Sequence, residues 1–199
     1  ILQDNGRHTI GNPCPLVDRE TGRIFLLTNG AKHTEGEIIN RGKGFRKIYI
    51  SHSDDDGKTW SERKNISVMV KKPEWRWYAT GPCSGIQIQS GKYKGRLVVP
   101  ANHSYHGSDV KRWEYRCHSL YSDDHGKTWS VSPDIDIPSS NEAIGTELPN
   151  GDLMLNIREQ NGKTKRRLVA LSSDGGATWK ETYFDSALIT PVCQSSILL

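Results

Sequence analysis

Apolar positions along this chain come in short runs of roughly four to seven residues, broken by turn-forming dipeptides. Such runs cover Arg23–Leu27, Lys47–Ile50, Gly85–Gln89, Arg96–Pro100, Arg116–Tyr121, Asp152–Arg158 and Arg167–Ser172. Between them stand Thr21-Gly22, Ser90-Gly91, Asn150-Gly151 and Asn161-Gly162, each suited to a tight reversal. No stretch repeats apolar residues at a convincing helical spacing. The pattern predicts an all-β protein built from successive hairpins.

One turn recurs. The segments SDDDGKTW, SDDHGKTW and SSDGGATW begin at Ser53, Ser122 and Ser172, and each follows a strand-like run: KIYIS, HSLYS and LVALS. In each copy the Asp can accept backbone N–H bonds, the Gly can take positive φ, and the Trp can cover the apolar edge of the hairpin. Asp55, Asp124 and Asp174, with Trp60, Trp129 and Trp179, therefore read as a structural staple. The copies are too unevenly spaced for a solenoid, but suit a radial array of four-stranded units with variable insertions.

Composition narrows the classes. The chain has 199 residues, 19 Gly and six Trp, and a net charge of +4 from 27 basic and 23 acidic residues. Its basic residues are scattered apart from Lys163, Lys165, Arg166 and Arg167, so nothing marks a nucleic-acid surface. No apolar run approaches the ~18 residues that span a bilayer, and the opening ILQDNGRHTIGN carries no signal-peptide pattern. Cys14, Cys83, Cys117 and Cys193 are widely separated; two disulfides are conceivable, but buried free thiols are the commoner outcome. None of the seven histidines shows linear metal-ligand spacing. Asn65-Ile66-Ser67 and Asn102-His103-Ser104 are glycosylation sequons, which arise readily by chance.

The stretch NEAIGTELPNGDLMLNIR, beginning at Asn141, carries the most chemistry. Pro149 suits position i+1 of a type I turn, Asn150 suits i+2, and Gly151 can close it in the left-handed region. That three-residue loop pairs Leu148 with Asp152 and sets Glu142 opposite Arg158 on one face. A two-residue Asn150-Gly151 turn would instead oppose Glu142 to Glu159. Taken alone, Glu142 and Arg158 read as a cross-strand ion pair worth under about 1 kcal/mol.

The three boxes resemble the Asp-box (BNR) repeats of sialidases, which other propellers, lectin-like proteins and sorting receptors also carry. GNPCPLVDRETGRIFLL, EWRWYATGPCSGIQI, GRLVVPANH and NEAIGTELPNGDLMLNIR are similar to exo-α-sialidase segments and occur in the same order. The resemblance runs from about Gly11 to Gln194. It implies a partial six-bladed β-propeller, about three blades of it, with residues 1–199 forming the central part of one catalytic domain.

The resemblance also implies an activity: retaining removal of terminal sialic acid from glycoproteins, gangliosides and other glycolipids, or oligosaccharides, through a Tyr–glycosyl intermediate. Glu142 matches the glutamate that takes the nucleophilic tyrosine's proton, and Arg158 the second of three arginines around the substrate carboxylate. Glu74 matches a glutamate near the glycerol or acylamino side, Asn12 a residue of the N-acetyl pocket, and Gln194 a glutamine near the substrate. Asn102 and Ser104 stand where some members carry tyrosines, and Tyr105 could supply a neighbouring ring. No cofactor or metal is implied. The first arginine and the general-acid aspartate would precede Ile1; the third arginine and the tyrosine would follow Leu199. A non-catalytic carbohydrate-binding propeller and a trans-sialidase are the alternatives. Localisation stays open.

Overall fold

The structure, a computed structural model, describes Gln3, residues 6–105 and residues 114–198. Its strands form three antiparallel sheets in chain order. The first holds β1 (Thr9–Val17), β2 (Ile24–Ala31), β3 (Lys47–Ser53) and β4 (Lys64–Asn65). The second holds β5 (Trp75–Thr80), β7 (Leu97–Tyr105), β8 (Tyr115–Ser122) and β9 (Ser130–Val131), with β6 (Ile86–Gln87) paired to β7. The third holds β10 (Ser140–Glu147), β11 (Leu153–Glu159), β12 (Arg166–Ser172) and β13 (Glu181–Ile189).

The second sheet is buried on both sides, which explains why β7 reads as a continuous apolar run rather than an alternating one. Leu97, Val99 and Ala101 pack with Phe25, Leu27, Ile48 and Trp129 toward the first sheet. Val98 and Cys117 pack with Leu153, Leu155, Ile157 and Leu168 toward the third. All four cysteines are free thiols.

The sequence shows no amphipathic helix, and the helices among the described residues are short. Two short helices occur, α1 (Glu35–Arg41) and α2 (Ser67–Val70). Thr34 and Glu37 close a reciprocal capping box at the start of α1, and Gly42 ends it at φ 62°. Ile38 is its one buried residue, so no apolar stripe announced it. Among the described residues no helix is long and apolar enough to cross a membrane.

The recurring turns are nearly superimposable in their bonding. In the second, Ser122 Oγ donates to Asp124 at 2.8 Å, and Thr128 gives its backbone N–H at 2.9 Å and its hydroxyl at 2.6 Å to the same carboxylate. Gly126 N donates back to Ser122 Oγ at 2.9 Å. Asp55 and Asp174 repeat this pattern with Thr59 and Thr178. The two residues at each tip are left-handed, as at His125 (φ 58°) and Gly126 (φ 76°). Trp60 and Trp129 turn their indole N–H back onto the tip glycine's carbonyl, whereas Trp179 reaches Pro133 O at 3.0 Å.

The second and third turns each lean on the sheet before them. Gly126 lies against the Phe25 ring, and Gly176 against Leu153, Ser119 and Val98. Arg96 grips Asp123 through two bonds of 2.7 and 2.8 Å and reaches Asp174 O at 2.7 Å, sandwiched between Tyr93 and Tyr121. His125 meets the buried Asp18 at 2.7 Å. Sheet packing is thus carried by these turns as well as by the apolar core.

Candidate active site

The β10–β11 hairpin closes as the three-residue loop. Leu148 N bonds Asp152 O at 2.7 Å, Gly151 N bonds Leu148 O at 2.8 Å, and Gly151 takes φ 83°. From Glu147↔Leu153 to Ala143↔Ile157 the register is the one that opposes Glu142 to Arg158. Beyond it the register slips, with Ser140 rather than Glu142 opposite Glu159. This irregularity at Asn141 and Glu142 has no signature in the sequence. Arg158 Nη1 donates to Glu142 Oε2 at 2.6 Å, and the two side chains keep 22% and 21% exposure. Arg158 Nε is buried without a hydrogen-bond partner, so part of the guanidinium is uncommitted.

Other groups gather around this pair. Continuing the Ile157↔Leu168 register places Arg167 opposite Arg158. Burial, then the Arg158 charge among other neighbours, pulls the Arg167 guanidinium below its ordinary range. Arg167 holds the Asn156 side chain, Asn156 O at 3.1 Å and Cys193 O at 2.6 Å. That last bond tethers the segment carrying Gln194, whose amide donates to the Cys83 thiol and Ser195 O. Burial, opposed by the Gln194 bond and reinforced by nearby Glu142, pushes the Cys83 thiol up. Gln194, Cys83, Arg167 and the Glu142–Arg158 pair therefore share one neighbourhood.

Asn12 belongs to an adjoining group. It sits in a bulge of β1 at φ 49°, and its Oδ1 accepts from Arg46 Nη1 at 2.7 Å. Arg46 is 2% exposed, bonds Tyr78 O at 3.3 Å, and lies 4.0 Å over the Trp77 ring. Burial pulls it down to about 10, against the opposing influence of Glu35 and Tyr115. The Tyr115 hydroxyl donates to Glu35 at the start of α1. Burial and Glu35 push that phenol up while Arg158 pulls it down, which ties this group electrostatically to the hairpin pair.

Glu74 and Tyr105 form a third group. Glu74 is exposed just before β5, close enough for its charge to act on Lys71 and Tyr105. The Tyr105 hydroxyl donates to Asp134, and its ring stands edge-on to His103. Trp75 and Tyr78 are fully buried core. Asn102 and Ser104 are buried too, Ser104 Oγ accepting Trp77 N–H at 3.1 Å. Glu35, Arg46 and Tyr115 were not singled out from sequence, and Arg167 only as part of a basic cluster; only the Thr34-x-x-Glu37 cap could have located Glu35. Although the histidines show no metal-ligand spacing along the chain, His103 and His118 meet in space beside Asp134. A groove of about 720 Å³ lies elsewhere, between Leu16, Gly85, Gln87, Thr146, Glu147 and Leu198.

Three antiparallel sheets bearing the same Asp-anchored turn define a protein of the BNR type. The BNR repeat-like domain matches residues 1–199, and the chain belongs to that family. Its relatives are sialidases. It is 31% identical to a sialidase of Bacteroides fragilis over 97% of its own length and 35% of that protein's. Against human Sialidase-3 the identity is 30%, over 96% of the chain and 47% of the relative. The solved structure of the Hadza microbial sialidase Hz136 superposes with a TM-score of 0.79 at 30% identity, covering 96% of the chain and 37% of that structure. The chain thus spans between about a third and a half of these relatives.

Proposed function

We propose that the chain is the central part of an exo-α-sialidase catalytic domain, its three sheets being consecutive blades of a six-bladed propeller. The observation that carries the reading is the 2.6 Å contact between Glu142 and Arg158 on one hairpin, in a chain whose relatives are sialidases. Arg158 has Nη1 engaged by Glu142 and a side chain that keeps 22% exposure, so its remaining exposed N–H groups can take up a substrate carboxylate. A phenol with a pKa of about 10 is a poor nucleophile until a base removes its proton. Glu142 fills that role for a tyrosine contributed from outside this segment. The phenolate oxygen bonds the anomeric carbon as the aglycone oxygen departs with a proton from an acid also outside the segment. Water then cleaves the glycosyl–tyrosine bond with net retention. Sialylated glycoproteins, gangliosides and oligosaccharides are the proposed substrates. Asn12 and Gln194 adjoin the hairpin and fit substrate contacts; Glu74 and Tyr105 fit the outer side.

The test is kinetic. In a complete catalytic domain containing this segment, Glu142→Gln lowers kcat on a fluorogenic sialoside by about 10²–10⁴-fold, the usual share of a general base. Arg158→Lys loses the forked geometry and lowers kcat/KM while leaving the fold intact. Unchanged kinetics in both variants would remove the assignment. The 199-residue chain by itself is expected to release no sialic acid; turnover by it would overturn the partial-domain reading.

A further inference from the structure

Away from the Glu142–Arg158 hairpin, two histidines and an aspartate converge on one face of the second sheet. The β7–β8 register opposes His103 to Arg116 and Ala101 to His118, so the two imidazoles are diagonal neighbours. The segment after β9 runs along β8, held by Ser132 N to Ser119 O at 3.0 Å and Ile135 N to Cys117 O at 2.8 Å. It sets Asp134 beside both rings. His103 and His118 are fully buried, while the Asp134 side chain keeps 18% exposure, leaving an entry from solvent.

The three residues stand close enough to share an ion, although the two shortest separations use different nitrogens of the His103 ring. His103 Nδ1 and His118 Nδ1 are 3.2 Å apart, and His103 Nε2 and Asp134 Oδ2 are 3.5 Å apart. One donor atom from each of the three residues lies within 4.8 Å of the others. Ligands on a tetrahedral ion at about 2.0–2.1 Å stand ~3.3 Å apart, so coordination needs an inward side-chain movement of about 1 Å on fixed strands. Asp134 Oδ1 is buried without a hydrogen-bond partner, and His103 Nε2 has only the long contact with Asp134 Oδ2, so both atoms have room for a counterpart. Outer support is already in place. Tyr78 OH stands 2.8 Å from His118 Nε2, the Tyr105 hydroxyl donates to Asp134, and Trp75 stacks on His103 with ring centres 3.6 Å apart.

We propose that His103, His118 and Asp134 bind a divalent transition-metal ion, with Zn²⁺ the best match to two imidazoles and one carboxylate. The ion ties β7, β8 and the strand-like segment after β9 together and leaves a fourth position for water. It takes no part in the sialoside chemistry, its one link to that site being the Tyr105 hydroxyl on Asp134. The competing account is a metal-free hydrogen-bond chain from Tyr78 through His118 and His103 to Asp134.

The two accounts separate by direct titration of the EDTA-stripped chain with Zn²⁺ and with Co²⁺. One Zn²⁺ per chain is expected by calorimetry, Co²⁺ is expected to give the visible bands of a low-symmetry site, and it should quench emission from Trp75. Asp134→Asn and His118→Gln should each weaken Zn²⁺ binding more than about tenfold, the scale seen even for outer-shell losses, with far-UV circular dichroism unchanged. His125→Gln, at a partly exposed ring paired with Asp18, should leave it unaltered. Absence of saturable Zn²⁺ binding, or binding indifferent to Asp134→Asn, would establish the hydrogen-bond chain instead. Asp134 is partly exposed, so that variant keeps the test decisive should His118→Gln fail to fold.

Discussion

Replacing Gly126 by Ala tests how much the recurring turns contribute to packing between sheets. Gly126 has φ +76°, and a Cβ built there would lie 2.5 Å from Phe25 Cζ and 2.8 and 3.2 Å from the Cε atoms. Carbon atoms prefer about 3.5–4.0 Å. Phe25 cannot retreat freely, being 3% exposed and edge-on to Trp129 at 6.5 Å. Alanine in the left-handed region costs about 1–2 kcal/mol, and overpacking a filled core adds about 1–3 kcal/mol. Gly57 is the internal control: its φ is +82°, but its nearest neighbour is its own turn's Trp60 at 3.9 Å. Gly57→Ala should therefore cost only the conformational part. Urea unfolding of both variants, followed by tryptophan fluorescence and circular dichroism, should separate them by about 1–3 kcal/mol. A Phe25→Leu change should be less harmful in the Gly126→Ala background than in the parent, giving a favourable coupling energy. Equal destabilisation of the two glycine variants would refute the claim that the second turn bears on the first sheet.

Two further predictions concern titratable groups. Burial raises the Asp124 and Asp174 carboxyls, but bonds from Thr128 and Thr178 outweigh it and hold both below the usual range. Their folded values being depressed, they stabilise fully above the unfolded value of about 3.9 and lose that contribution as pH falls through the folded values. The urea midpoint should drop steeply below about pH 4, and Asp124→Asn should flatten the drop; an unchanged acid limb would contradict the bonding described. Among the thiols, exposed Cys193 should react first with a disulfide reagent and half-buried Cys83 more slowly. Cys14, pushed up to about 12 by burial, and Cys117, also raised by burial, should react only on unfolding. Early modification of either would show that the core is open.

What the sequence disclosed was local. The Pro149-Asn150-Gly151 loop fixed the β10–β11 register because turn geometry and pairing involve neighbours in the chain. The Ser-x-Asp-x-Gly-x-Thr-Trp turns were legible for the same reason. Helix α1 escaped because one buried residue, Ile38, makes no periodic pattern, although its capping box stood in plain view. Arg46 and Arg167 looked like ordinary surface cations. Their burial depends on acceptors far away in the chain, Asn12 and Tyr78 for one and Cys193 for the other. The meeting of His103 with His118 was hidden in the same way, since a strand pairing and not a spacing brings them together. Long-range partners are set by packing, which no short window reports.

The β11–β12 pairing has a plain consequence for how this protein tolerates change. The Asp-anchored turn follows Ser172, opposite Leu153, whereas the guanidinium of Arg158 lies at the far end of the same strand. Five residues at ~3.3 Å each put some 17 Å between them. Mending or loosening the rim and retuning the charged end are consequently separate operations, whose free energies should simply sum. A lineage, or an engineer, can harden such a scaffold without touching the Glu142–Arg158 pair.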